Sequence, residues 1–64
     1  MLTTTLKLGS KGEEVKCLQT KLNTLADGKF GKKTKQAVIV LQKNHALKAD
    51  GIVGPATRKV LNGN

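Results

Sequence analysis

Few residues of this 64-residue chain could do covalent chemistry. Glu13, Glu14, Asp27 and Asp50 are its only acids, and Ser10, Cys17 and His45 its only serine, cysteine and histidine. Glycoside hydrolysis needs two carboxylates poised across a bond. The two glutamates are instead adjacent, at a position where a helix begins. A nucleophile, base and orienting acid would have to join His45 to Ser10 or Cys17, and no motif surrounds either. Cys17 and His45 together with Asp27 or Asp50 lack any metal-ligand spacing, so neither a metal nor a cofactor is expected. Taken alone, the chain reads as non-catalytic. Cys17 reads as a reduced, half-buried helix residue. His45 reads as a partly buried group at a helix C-terminus, where positive charge is favoured.

The elements that position these residues come from an internal repeat. Residues 15–37 set above residues 38–60 pair Val15 with Val38, Leu18 with Leu41, Gln19 with Gln42, Ala26-Asp27-Gly28 with Ala49-Asp50-Gly51, Gly31 with Gly54 and Thr34 with Thr57. Eight identities over a 23-residue offset indicate two copies of one helix-plus-loop unit. Ser10 and Glu13 have capping-box spacing, and Val15, Leu18, Leu22 and Leu25 form one helical stripe. A first helix is therefore expected over about 11–25. A second should run over 32–45 with Thr34, Ala37, Val38, Leu41 and His45 on its stripe. A third should run over 55–61, opened by Pro55 at the first helical position, where its missing N–H is harmless. The expected fold is all-α, a compact three-helix bundle of two 23-residue helix-loop repeats plus a closing helix, in one domain over 1–64. Lys29-Phe30 and Ile52-Val53 could pair as a very short ribbon. The expected core is Leu8, Val15, Leu18, Leu22, Leu25, Phe30, Ala37, Val38, Leu41, Leu47, Ile52, Val53, Val60 and Leu61.

Twelve Lys plus Arg against four Asp plus Glu give a net charge of +8. That charge invites a nucleic-acid reading, a small basic three-helix DNA binder. The organisation opposes it, because helix-turn-helix units join their helices by a short turn and here about nine residues separate the second and third helices. No apolar run approaches the roughly 20 residues of a membrane span or the core of a signal peptide. Synthesis in the cytoplasm without an export signal, and no membrane insertion, are the expectations.

The chain resembles the peptidoglycan-binding domain family over about residues 6–61. Three stretches carry the resemblance: Leu8-Gly9 through Gly12, Val15, Leu18-Gln19 and Leu22; Asp27-Gly28, Phe30-Gly31, Thr34, Ala37-Val38 and Leu41-Gln42; and Leu47, Asp50-Gly51-Ile52-Val53-Gly54 and Thr57. The resemblance implies a compact bundle of three helices and the role of a non-catalytic wall anchor for a lytic enzyme. Met1 at the start would place the catalytic partner after Asn64. A basic N-terminal module without a signal peptide is similar to those of phage endolysins, which act at the periplasmic wall; a monomer is expected. The candidate ligand residues are Lys29, Phe30, Thr34, Gln42, Asp50, Gly51 and Ile52. Asp27 and Asp50 could contact ligand or cap their own turns. Gln19 and Gln42 could satisfy loop backbone, or one of them could face ligand. Thr34 and Thr57 fall in first helical turns, whose free N–H groups could take a peptide carboxylate beside Lys29 or Lys32. Family members often carry Gly where Ala46 stands. Alanine at positive φ costs on the order of 1 kcal/mol, which implies a helix end built differently here.

Overall fold

The computed structural model describes residues 2–63, and Met1 and Asn64 lie outside the described residues. Three helices follow in order: α1 (Glu13–Lys21), α2 (Lys32–Asn44) and α3 (Pro55–Leu61). The all-α three-helix bundle is as expected, and among the described residues there is no strand, only two isolated antiparallel bridges. Val15, Leu18, Val38 and Val53 are fully buried, joined by Leu2, Leu6, Phe30 and Leu61. Cys17, Leu22 and Leu41 pack half-buried against this cluster.

Helix α1 is shorter than its apolar stripe. Its end is set by backbone geometry: the Thr24 N–H donates to Gln19 O at 2.9 Å and the Asn23 N–H to Thr20 O at 3.1 Å, with Asn23 at φ 61°. This double closure is a Schellman motif, and Asn is one of the few residues that enters the left-handed region readily. Leu25 is thereby thrown out of the helix and is 82% exposed, contrary to its place in the expected core. Leu8 and Ile52, 52% and 40% exposed, leave the core as well. The capping box does not form. The N-cap of α1 is Gly12, and the Ser10 hydroxyl accepts the Lys7 N–H at 3.0 Å, closing a turn before the helix.

The same closure ends α2, 23 residues on. Leu47 N–H donates to Gln42 O at 2.8 Å and Ala46 N–H to Lys43 O at 3.2 Å, with Ala46 at φ 57°. The helix end therefore closes as that of α1 does, with alanine in the left-handed slot, and the expectation of a different end is corrected. His45 is the C-cap of α2 but is exposed, not partly buried as expected. Ala46→Gly removes the Cβ strain at some cost in unfolded-chain entropy. It should raise stability by about 0.5–1 kcal/mol, read as a melting-temperature gain of a few degrees.

The N-terminal segment supplies what the helices lack. Leu2 and Leu6 are buried. Leu6 exchanges backbone bonds with Val53, and Gly12 and Phe30 donate to Gly28 O and Ser10 O. Each D-G loop thus bridges to this segment instead of to the other loop, so the expected ribbon between residues 29–30 and 52–53 does not form. Asn62 clasps the segment to α3, its Oδ1 accepting the Leu2 N–H at 2.9 Å and its Nδ2 donating to Leu2 O at 3.0 Å. Arg58 donates to Thr3 O at 2.7 Å.

Glu14 fastens the same segment to α1. Its Oε1 accepts the Thr3 and Thr4 N–H groups at 2.9 and 3.2 Å, and its Oε2 the Thr3 hydroxyl at 3.0 Å. The Thr3 N–H first, then the Thr4 groups, lower its pKa from 4.5 to about 2. A carboxylate depressed in the folded state stabilises above its unfolded pKa, and that contribution is lost as pH falls towards its folded pKa. The melting temperature should therefore drop between about pH 4.5 and 2. Glu14→Gln should melt lower than the parent at pH 6 and show a shallower acid slope, Asp27 and Asp50 supplying the remainder; an unchanged slope would remove Glu14 from this role.

Candidate functional site

Two buried glutamines build the loops. Gln19 Oε1 accepts the Gly28 N–H at 2.9 Å, while Nε2 lies 2.8 Å from Asp27 Oδ1, 2.9 Å from Lys29 O and 3.1 Å from Thr34 Oγ1. Two amide hydrogens are shared among three acceptors. Gln42 repeats every bond: Gly51 N–H to Oε1 at 3.0 Å, and Nε2 to Asp50 Oδ1, Ile52 O and Thr57 Oγ1 at 3.1, 2.9 and 3.1 Å. Each aspartate closes its own turn, Oδ1 also accepting the N–H two residues on at 2.9 Å. That N–H, from Lys29 for Asp27 and from Ile52 for Asp50, is the main reason both carboxyls titrate below their ordinary value. Gly51 stands at φ +75°, and a Cβ there would meet Lys35 Cγ at 2.8 Å, so the second loop tolerates only glycine without a shift.

Beside each loop lies an open groove, and the two grooves use the same nine positions 23 residues apart. Both contain the glutamine, the aspartate, the glycine that precedes the next helix and its threonine. The remaining positions differ. Thr24, Leu25, Lys29, Lys32 and Lys33 in the first groove become Leu47, Lys48, Ile52, Pro55 and Ala56 in the second. The first groove encloses about 520 Å³ and the second about 160 Å³.

The seven candidate ligand residues therefore do not form one site. Lys29 and Thr34 line the first groove; Gln42, Asp50 and Ile52 line the second. Phe30 is 3% exposed and belongs to the core, while Gly51 is buried with its N–H on Gln42. Gln42, 1% exposed, spends its whole amide on the loop, as the loop-satisfying reading of the glutamines required. Of the groove residues outside the candidate set, Leu47, Lys48, Pro55 and Ala56 had no chemical signal of their own; only their register with the first repeat could have found them. Among the described residues no three His, Cys, Asp or Glu side chains gather as a metal site.

Fold and grooves together define a small helical module whose polar interior is spent on shaping two surface clefts. Comparison with known proteins gives it a family. The model of the peptidoglycan binding domain matches residues 11–61, and the chain belongs to this family. It is 44% identical over 66 residues to the N-acetylmuramoyl-L-alanine amidase CwlL of Bacillus licheniformis, covering 91% of this chain and 18% of that enzyme. Among solved structures it superposes with a TM-score of 0.90 on a fused Zn-dependent amidase/peptidase/peptidoglycan-binding domain-containing protein of Clostridium acetobutylicum, at 42% identity, covering 95% of this chain and 30% of that one. A Burkholderia AP3 phage endolysin gives a TM-score of 0.90 at 38% identity, with 94% and 25% covered. The chain thus spans less than a third of each of these proteins.

Proposed function

We propose that the module holds a fused cell-wall hydrolase on peptidoglycan, without catalysing anything itself. The observation that carries this reading is the intact loop frame: both Gln–Asp–Thr networks are complete in a member of a wall-binding family, and they leave two grooves open to solvent. Relatives of this fold occur within amidases and an endolysin, which supports a lytic class of partner. The module contributes proximity. A weak hold on a repeating polymer keeps the attached enzyme at an effective concentration of roughly millimolar for a short linker. The net charge of +8 adds long-range attraction towards an anionic wall, screened at high salt. We place the primary grip at the second groove, where Asp50 and Ile52 present a polar and an apolar edge together.

DNA binding has no comparable support. Residues 45–54 separate α2 from α3 where a helix-turn-helix needs a tight turn, and α3 has only seven residues. The test is co-sedimentation with purified, nucleic-acid-free peptidoglycan at about 0.15–0.3 M salt, where surface charge is largely screened. The chain should pellet with the wall. A chain left in the supernatant, with salt-resistant retention on duplex DNA, would reverse the assignment.

A further inference from the structure

We infer that the two grooves are not duplicates, and that the first is a subsite for a free carboxylate of a wall peptide stem. This rests on the wall-binding reading above and adds to it a division of labour. The molecule contains its own control, since both grooves share one frame and differ in what lines it. Where the second carries Ile52, Pro55 and Ala56, the first carries Lys29, Lys32 and Lys33. Asp27 is the only acid lining the first groove, and its Oδ1 is already bonded to Gln19 and to the Lys29 N–H. The one ion pair among the described residues is elsewhere, between Lys16 and Glu13 at 3.9 Å. Three lysines thus line one cleft whose single carboxylate already has one oxygen bonded within the loop.

Lys32 and Lys33 also stand in the first turn of α2, which holds no acid, whereas the first turn of α1 holds Glu13 and Glu14. Positive charge at a helix start is locally unfavourable, so these lysines are not there to stabilise the helix. Leu25, 82% exposed at the same groove, offers an apolar contact beside the charges. A short peptide bearing a carboxylate next to alanyl methyl groups matches both features. A cleft of about 520 Å³ suits such a segment and not a duplex.

The test follows amide resonances of the ¹⁵N-labelled chain during titration with soluble muropeptides released from purified peptidoglycan. A second preparation has its carboxylates converted to amides. Native muropeptides should shift Lys29, Gly31, Lys32 and Lys33 along with the second loop, whereas the amidated form should shift the second loop alone. The exchange variant Lys29→Ile, Lys32→Pro, Lys33→Ala gives the first groove the second groove's residues at three of the five positions where the two differ, with residues the same frame already accommodates. It should bind native muropeptide about tenfold more weakly at low salt, with the gap closing as salt rises, and should bind the amidated form as the parent does. The converse variant Ile52→Lys, Ala56→Lys should acquire a preference for the carboxylate form at the second loop. Equal response of the first groove to both preparations overturns the inference. So does a response there to inorganic phosphate but not to muropeptide, which would point to a phosphodiester polymer. Wild-type chain that pellets with wall but shows no carboxylate preference overturns this inference alone; chain that fails to pellet overturns the wall-binding reading beneath it.

Discussion

Gln42→Ala should cost about 3 kcal/mol or more, enough to leave a domain of this size largely unfolded at room temperature. The side chain is 1% exposed and serves four loop groups at once. Truncation strands the Gly51 N–H and the Thr57 hydroxyl, both in buried bonds, and unpairs the part-buried Ile52 carbonyl; each buried stranded group costs about 1–3 kcal/mol. Gln19→Ala should cost a similar amount, because its bonds match in partner type and length. Urea unfolding of the two variants checks both claims, and a loss below about 1 kcal/mol for either would mean that water substitutes for the amide. Q42E sharpens the test. It keeps the acceptor for the Gly51 N–H but turns the donor end into an anion facing Asp50 Oδ1 and the Ile52 carbonyl. Burial beside these oxygens raises the pKa of the introduced carboxyl, so the folded form binds a proton that the unfolded form releases. The variant should gain stability as pH falls from about 7 to 5, a window in which the parent's depressed carboxyls do not titrate.

These networks also show which part of the molecule was legible in the sequence. The repeat was, because it recurs as spaced identities, and Gln19, Asp27 and Thr34 with their partners are the atoms that make it recur. Helix α3 was legible in full, since Pro55 fixes its start. The end of α1 was not. The stripe ran on to Leu25, but Asn23 takes the left-handed turn, and a backbone closure overrides side-chain periodicity. Ser10 satisfied the spacing of a capping box, yet its hydroxyl was claimed by the Lys7 N–H in a local turn. Leu2 and Leu6 lie in a segment without any period, so their burial depended on tertiary bonds to Val53 and Asn62 that no local pattern announces. The grooves lie between these cases. Their frame was visible, but their lining residues are chosen by how each loop lies against the start of the following helix. Two of the seven candidate ligand residues, Phe30 and Gly51, consequently fell outside either groove lining.

Phe30 is the residue on which a ligand role and a core role make opposite predictions. As the only aromatic of the chain it is the natural candidate for stacking on a sugar face, but it is 3% exposed among Leu2, Leu6, Val15, Leu18 and Val38. Its backbone bridges to the turn before α1, the N–H donating to Ser10 O at 2.8 Å and the carbonyl accepting the Gly9 N–H at 3.1 Å. Phe30→Ala should therefore cost about 3–5 kcal/mol, a loss that a 64-residue domain does not survive, and wall binding should vanish with the fold. Phe30→Leu keeps most of the buried volume and should cost only about 1 kcal/mol. If the ring serves the core alone, this variant will pellet with peptidoglycan as the parent does once folding is verified by circular dichroism. A folded Phe30→Leu chain that stays in the supernatant would mean that the ring reaches ligand, and that the loop holding it opens when the wall is bound.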